Sequence, residues 1–337
     1  MNVSAVIVNY EAGELLLECI AALAGQSGLL ETIVVDNGST DGSTKAAAAA
    51  FEDLHVVTPG RNLGFAGGAN AGARMARGEL LFFLNPDVCL APGSLSVLAA
   101  EFTDSSVGVV GPPLDVAVAG AVEYGATLDP IGSPVHLAKR GPVLYVPGCA
   151  LMTRARLFHS LGGFDERFFM FVEDVDYCWR VLLSGLDVRV APTTPAQHEG
   201  GAAAPGGYLT AGGVTSTRFR VVLRERNTLA LLLKCYGRPL VWIVAPLYAV
   251  QSLATAMALA AVGRRETAKG IAGGLWWNVR ELPRTVELRR AVQRSRRIDE
   301  REILRRMYRG LWKLNLLLRF GIPRISEQGA ATTELGP

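Results

Sequence analysis

Cysteine is scarce and poorly placed for stapling. The five residues (Cys19, Cys89, Cys149, Cys178, Cys235) are odd in number, scattered, and never spaced C-x-x-C. That argues against a disulfide framework and against a zinc site, and fits a reducing compartment. Charge is thin too, at 19% of residues. The glycine fingerprints of dinucleotide and P-loop sites are missing: there is no G-x-G-x-x-G and no Gly-Lys-Ser/Thr. Val3 to Glu18 holds no basic residue, so the Lys/Arg-rich phosphate loop expected of a nucleotidyltransferase is absent there. The chain starts Met1-Asn2 and enters an apolar run at once, without a basic n-region or cleavage site, so no signal peptide is expected. No internal repeat is evident.

What is present is a large apolar complement. Half of the 337 residues are hydrophobic, enough for one large domain with an appendage or for two domains. Val3 to Asn9 (VSAVIVN), Thr32 to Val35, His55 to Val57, Leu80 to Leu84 (LLFFL) and Val107 to Val110 are short apolar runs of the kind that form strands buried on both faces. Helical spacing lies between them, at Leu15 to Leu23, Lys45 to Phe51, Ala66 to Arg77 and Leu95 to Phe102. This alternation predicts an α/β fold with a mostly parallel central sheet, in which ligands bind beyond the carboxyl ends of the strands. Polar clusters fall at those ends: Asn9-Tyr10-Glu11, Asp36 to Asp41, and Asn85-Pro86-Asp87. Residues 112–143 read as loop with short strands. Gly200 to Gly213, with three Gly-Gly pairs, reads as a hinged loop over a site.

Each polar cluster has a plain structural reading beside a chemical one. Asn37-Gly38 is a turn and Thr40 or Asp41 a helix cap, but Asp36 ends a buried strand and is placed to accept the N–H of a pyrimidine base. Arg61 to Asn70 (RNLGFAGGAN) is a Gly-rich loop that brings backbone N–H groups toward an anion. Asn85-Pro86-Asp87 is a proline turn, or a carboxylate for a hard divalent cation. His198, one of only four histidines, follows a strand and suits a surface position or a metal or phosphate contact. The densest acidic stretch is GGFDERFFMFVEDVDYCWR, Gly162 to Arg180. Five carboxylates stand within twelve residues of it around the run Phe168 to Phe171. From Glu173 it reads as a helix start, ended by Gly185.

Beyond Ser216 the character changes. Arg218 to Cys235 is amphipathic, and Leu240 to Val262 is 23 residues without a charge. That is long enough to span a bilayer. Pro246, the many alanines, Gln251, Ser252 and Thr255 argue for a re-entrant or in-plane membrane segment, or a helical hairpin. So does the basic region behind it: Arg264 to Lys313 holds fifteen Lys/Arg against six Asp/Glu, and a span would export it. The alternative is a buried core helix. Leu275-Trp276-Trp277 and Leu311-Trp312 read as interfacial anchors. The basic region points to a membrane surface rather than nucleic acid because of the apolar run beside it.

Taken in order, VSAVIVNY, VVDNGSTDGS, NLGFAGGAN, LLFFLNPDV, VPGCALMTR, GGFDERFFMFVEDVDYCWR and the late His198 resemble family 2 glycosyltransferases, over about residues 3 to 235. The likeness is to the rhamnosyltransferase-like branch that builds bacterial surface polysaccharides. The resemblance implies a GT-A nucleotide-binding sandwich over residues 1–215, with a nucleotide-sugar half (about 1–111) and an acceptor half (about 112–215). A helical, membrane-associating region over 216–325 and a disordered tail over 326–337 complete the expected organisation. By the same resemblance Asn9, Asp36, Asn62, Asn85 and Asp87 bind the nucleotide sugar, and Asp87 and His198 hold Mg²⁺ or Mn²⁺. Asp174 is then the catalytic base with Glu173 beside it, and Asp165, Glu166, Trp179 and Arg180 meet the acceptor. Asn85 departs from the D-x-D pattern. Cys178-Trp179-Arg180-Val181 stands where processive synthases carry Q-x-x-R-W, which favours transfer of a single sugar. The expected reaction is inverting transfer, with dTDP-rhamnose the leading donor and a UDP- or GDP-sugar the alternative. The acceptor would be a lipid-linked or polysaccharide glycan, met at the cytoplasmic face of the membrane, and a homo-oligomer fits. A non-catalytic membrane scaffold is the remaining reading, and it leaves Asp36, Asp87, Asp174 and His198 as a coincidence.

Overall fold

In the computed structural model, which describes residues 1–200, 209–210, 213–321 and 323–326, the chain divides into two units. The first gathers Met1–Thr127, Arg296–Met307 and the described residues within 135–203; the second gathers Leu128–Pro134 and the described residues within 204–295 and 308–337. The units therefore interleave, where the sequence reading drew a single boundary at residue 215. Two short segments cross it for visible reasons. Arg306 reaches the Asp187 carboxylate at 2.8 Å and the Val143 carbonyl at 3.1 Å, tying its helix to the first unit. Pro130 accepts the Tyr236 hydroxyl at 2.7 Å and Asp129 accepts the Trp312 N–H at 2.8 Å, tying that loop to the second.

The first unit begins β1 (Val3–Asn9), α1 (Leu15–Ala24), β2 (Leu29–Asp36), α2 (Ser43–Ala50), β3 (Leu54–Val57), α3 (Gly64–Met75) and β4 (Leu80–Leu84). It continues β5 (Val88–Cys89), α4 (Ser94–Ala100), β6 (Val107–Gly111), β7 (Leu114–Val116), β8 (Ala121–Glu123), β9 (Ala126–Leu128) and β10 (Pro134–His136). Then come β11 (Ala150–Arg154), α5 (Ala155–Ser160), α6 (Glu173–Leu183), β12 (Asp187–Val190) and β13 (Ala196–His198). Seven strands form the main sheet in the order β12-β6-β11-β4-β1-β2-β3. All pairs are parallel except those of β11, which runs antiparallel to both β4 and β6. Every residue of β1, β4 and β6 is buried, as expected of sheet-centre strands covered on both faces. Glycine allows α3 to lie close on β1: a Cβ on Gly72 would stand 2.4 Å from Val6 Cγ1, and one on Gly68 2.7 Å from Val8 Cγ1. A smaller sheet, β5-β13-β7-β8, brings residues 88–89 beside 196–198.

The second unit holds β14 (Leu209–Thr210), β15 (Gly213–Thr217), α7 (Arg218–Cys235), α8 (Val241–Ala261), α9 (Arg265–Arg280) and α10 (Leu282–Ser295). After α11 (Glu300–Arg306), which belongs to the first unit, come α12 (Trp312–Phe320) and β16 (Arg324–Ser326). Gly270 and Gly274, one turn apart on α9, let it approach α7 closely; Cβ atoms there would sit 2.4 Å from Val222 and 3.0 Å from Arg226. The apolar segment 240–262 is one unbroken helix, not a hairpin. Pro246 falls in its second turn and removes only the bond to the carbonyl one turn back. The reversal comes later, at Gly263 (φ +83°). The expected tail 326–337 lies outside the described residues except for Ser326, which ends β16. The expected hinged loop lies outside them except for Gly200 and the backbone of 209–210 and 213.

Candidate active site

Three neighbouring strands deliver polar residues to one edge of the sheet. Asn9 and Asp36 are register partners at the carboxyl ends of β1 and β2, and Asn85 follows the end of β4 on the other side of β1. Asp36 is partly exposed and accepts the Ser39 N–H at 2.8 Å, closing the turn after β2. Asn9 is placed differently from the expectation. It is wholly buried, and its amide donates to Ser43 and Thr44 hydroxyls at 2.9 Å, so it fixes the start of α2 instead of facing a donor. Glu11, in a left-handed conformation (φ +51°), accepts the Thr40 N–H at 2.8 Å and the Asp41 carboxylate accepts that of Gly13 at 2.8 Å. Those two carboxylates knit the loop after β1 to the loop after β2.

Asn62 acts through backbone geometry. Its Oδ1 accepts the Gly64 N–H at 2.8 Å and the Asn37 amide at 3.1 Å. Asn37, which the sequence reading took only as half of an Asn-Gly turn, is buried. It also donates to the Gly64 carbonyl at 3.0 Å and accepts the Leu63 N–H at 3.0 Å. The turn after β2 and the start of α3 are thus one hydrogen-bonded piece. Onto it comes the acidic stretch: the Phe169 carbonyl accepts the Ala66 N–H at 3.1 Å, and a Cβ on Gly64 would lie 2.2 Å from that carbonyl oxygen. Gly64 has φ +68°, so glycine is required there on two counts.

The acidic stretch is strained where it turns into α6. Phe169, Phe171 and Val172 all have positive φ (+63°, +68°, +76°), a conformation that non-glycine residues, and above all a β-branched valine, seldom adopt. Such strain persists only where the surroundings over-determine it, and it clusters at functional sites. Here it sets Asp174 in the first turn of α6. The Gly148 N–H donates to Asp174 Oδ2 at 2.8 Å and the Val175 N–H to Oδ1 at 2.7 Å. The helix ends as its sequence predicts, with Gly185 at φ +85° and Leu186 N–H bonded back to Val181 at 3.3 Å. Glu173 is buried.

Asp87 and His198 meet across the β5–β13 pair. His198 Nε2 stands 3.7 Å from Asp87 Oδ2, both side chains are buried, and the Glu199 N–H donates to the Asp87 carbonyl at 3.2 Å. His198 Nδ1 is buried and has no hydrogen-bond partner among the described residues. An acidic oxygen and an imidazole so placed fit a hard divalent cation. No third His, Cys, Asp or Glu completes a cluster among the described residues, which suits an ion that takes its other ligands from water and a diphosphate. Burial, then the charges of Asp87 and Asp174, push the thiol of Cys149 well above the ordinary range. Its carbonyl accepts the Asn85 N–H at 2.9 Å.

The residues expected at the acceptor divide by placement. Asp165 accepts the Arg167 N–H at 3.3 Å and pairs with its guanidinium at 2.8 Å; Glu166 accepts the Asn70 amide at 2.9 Å. Both shape the loop. Trp179 is 0% exposed, so it has no surface to offer an acceptor. Arg180 is buried, with Nε on Asp176 at 2.9 Å and its other nitrogens on the Leu161 and Gly163 carbonyls at 2.7 and 2.6 Å. It therefore closes the ring around Gly162-Gly163 and does not face a ligand. Beneath lies an aromatic cluster of Phe83, Phe158, Phe164 and Tyr177, with ring centroids 4.9–5.5 Å apart.

Comparison with known proteins bears on the fold and the family. The model of glycosyl transferase family 2 matches residues 4–162. A pre-mycofactocin glycosyltransferase of Mycobacterium tuberculosis is 32% identical over 178 residues, which cover 50% of this chain and 37% of that protein. The chain thus spans little more than a third of that relative's length. An N-acetylglucosaminyl-diphospho-decaprenol L-rhamnosyltransferase of the same organism is 28% identical over 229 residues, covering 57% of this chain and 74% of that protein. Among solved structures, the mannosyltransferase PcManGT from Pyrobaculum calidifontis, in complex with GDP-Man and Mn²⁺, superposes with a TM-score of 0.52 at 19% identity. It covers 87% of this chain and 85% of its own. The fold is GT-A, and residues 4–162 match the model of glycosyl transferase family 2.

Proposed function

We propose that this chain is an inverting glycosyltransferase that moves one sugar from a nucleotide-sugar donor to a lipid-linked or polysaccharide acceptor. The observation that carries the reading is the convergence on Gly148 and Cys149. Asp174 hangs from the N–H of one, Asn85 from the carbonyl of the other, and both Asp87 and Asp174 bear on the Cys149 thiol. A carboxylate for proton transfer and a carboxylate for a cation thus lie around one backbone turn.

Asp174 acts as the base. Its Oδ2 accepts the Gly148 N–H and its Oδ1 that of Val175, which fixes the plane of the carboxylate. The acceptor oxygen attacks the anomeric carbon from the face opposite the nucleoside diphosphate. Its proton passes to Asp174, and the breaking C–O bond leaves its electron pair on the diphosphate. Asp36 receives the base, and Asn62 holds the loop at which the donor sits. Asp87 and His198 would hold Mg²⁺ or Mn²⁺, which supplies charge neutralisation of the leaving diphosphate when bound. Phe169 to Phe171, partly exposed beside Asp174, wall off water.

The likeness to the mycobacterial rhamnosyltransferase supports dTDP-rhamnose as donor and a polyprenyl-diphosphate glycan as acceptor; the GDP-Man held by the archaeal neighbour supports a GDP-sugar as the alternative. Work at the cytoplasmic face of the membrane follows from such an acceptor. Asp174→Asn keeps one of the two backbone bonds, since its amide nitrogen cannot accept an N–H, and removes the base, so it should lower transfer by about 10²–10⁴-fold while nucleotide-sugar binding persists. Unchanged transfer in that variant removes Asp174 from the mechanism.

A further inference from the structure

Helix α8 is apolar on the wrong side. Its inner face, Val241, Val244, Ala245, Tyr248, Ser252, Ala256 and Leu259, recurs every three or four residues along its whole length. That face carries the polar atoms: Tyr248 and Ser252 hydroxyls donate to the Glu225 carboxylate of α7 at 2.9 and 2.6 Å, and Glu225 is paired with Lys313. Burial alone would raise the pKa of Glu225, yet Lys313 and the two hydroxyls bring it below the ordinary range. The outer face is apolar throughout. Trp242, Ile243, Leu247, Val250, Leu253 and Met257 are 50–66% exposed, a stripe far beyond the scattered apolar residues of an ordinary surface. From Arg238 to Arg265 there is no acid; Arg238, Arg264 and Arg265 are exposed at the two ends of the stripe, and Arg238 stacks 5.9 Å over the Trp242 ring.

We propose that α8 docks in the plane of an anionic bilayer surface, its outer stripe in the acyl boundary and the three arginines among the headgroups. This deepens the membrane part of the function proposed above and is independent of the sugar chemistry. The charge pattern selects an anionic lipid surface, because an apolar stripe with basic ends and no acid complements phosphate headgroups over hydrocarbon. The packing selects docking over spanning. Glu225 and Lys313 meet α8 near its midpoint, at Tyr248 and Ser252, so a spanning α8 would carry a charged pair to the bilayer centre. Lying flat, it keeps that pair on the protein side.

The test uses the full-length protein and flotation with vesicles of phosphatidylcholine alone or of an equal mixture with phosphatidylglycerol. Binding is expected to the mixture and much less to phosphatidylcholine. The double variant Leu247→Glu, Met257→Glu places charges on exposed positions only, so the fold and nucleotide-sugar binding should stay intact while partitioning falls by about tenfold or more. Quenching by brominated lipids of a fluorophore at Ile243→Cys and at Met257→Cys, each in a Cys89→Ser background, should report equal shallow depths. Flotation indifferent to the double variant, unequal depths as in a span, or a soluble dimer that hides the stripe and ignores vesicles each overturns the proposal. Nucleotide-sugar binding, measured on the same samples, separates this failure from failure of the transfer reading.

Discussion

Asp174 is suspended from the backbone of Gly148, whose N–H lies 2.8 Å from its Oδ2. The glycine is needed because the two residues nearly touch: a Cβ at position 148 would stand 3.2 Å from Asp174 Cβ and 3.3 Å from the Phe65 ring. Gly148→Ala should therefore shift the carboxylate by a few tenths of an ångström without unfolding the chain. Steady-state kinetics should show kcat down about 10- to 100-fold, in keeping with the cost of small misplacements of catalytic groups, with the donor KM nearly constant.

Gly64 is the tighter constraint. Alanine there meets the Phe169 carbonyl at 2.2 Å and a φ of +68°. Left-handed strain and overpacking together should cost roughly 2–5 kcal/mol, read from urea unfolding. Because Gly64 also anchors Asn62 and Asn37, nucleotide-sugar affinity should fall in whatever protein remains folded.

Arg180 distinguishes a scaffold from a ligand contact. Its pair with Asp176 is buried on both sides, and removing one partner of such a pair typically costs about 3–5 kcal/mol. Arg180→Met should accordingly lower the melting temperature sharply. A variant of unchanged stability with a raised acceptor KM would return Arg180 to the acceptor site.

Glu31 sets part of the acid sensitivity of the first unit. Burial pushes its pKa up, but the Ser4 hydroxyl at 2.5 Å and the Arg77 N–H and guanidinium at 2.7–3.0 Å outweigh it and leave the carboxyl below its ordinary value. A carboxylate depressed in the folded state stabilises fully above its unfolded pKa of about 4.3, and that stability is lost as pH falls through the folded pKa. Unfolding free energy should therefore drop below pH of about 4, and less steeply in Glu31→Gln. Parallel pH profiles for the two proteins would show that Glu31 is not a source of the effect.

Much of the sheet was legible in the chain because strands buried on both faces read as unbroken apolar runs. Val3 to Asn9 and Leu80 to Leu84 fall where VSAVIVN and LLFFL predict them. The helix at Glu173 was legible as well, from its acidic first turn and its closing glycine. What escaped depends on distant partners. β5 and β13 are two and three residues long and exist only by pairing, so the meeting of Asp87 and His198 has no local signature and is expected only through the family resemblance. Nothing in Phe169, Phe171 or Val172 announces a left-handed backbone, since no glycine marks it. Arg180 illustrates the opposite error: its spacing of four from Asp176 is the ordinary sign of a helical ion pair, and the structure makes it one.

The central claim is that a nucleotide sugar binds at the ends of β1, β2 and β4 and is broken with Asp174 as base. The most direct test is release of nucleoside diphosphate by the full-length protein from a panel of dTDP-, UDP- and GDP-sugars, with Mg²⁺ or Mn²⁺ and a membrane-lipid extract as acceptor. The account predicts that at least one donor is consumed by the wild type and bound but not consumed by Asp174→Asn. Binding of no donor in the panel, or equal consumption by the two proteins, would contradict it.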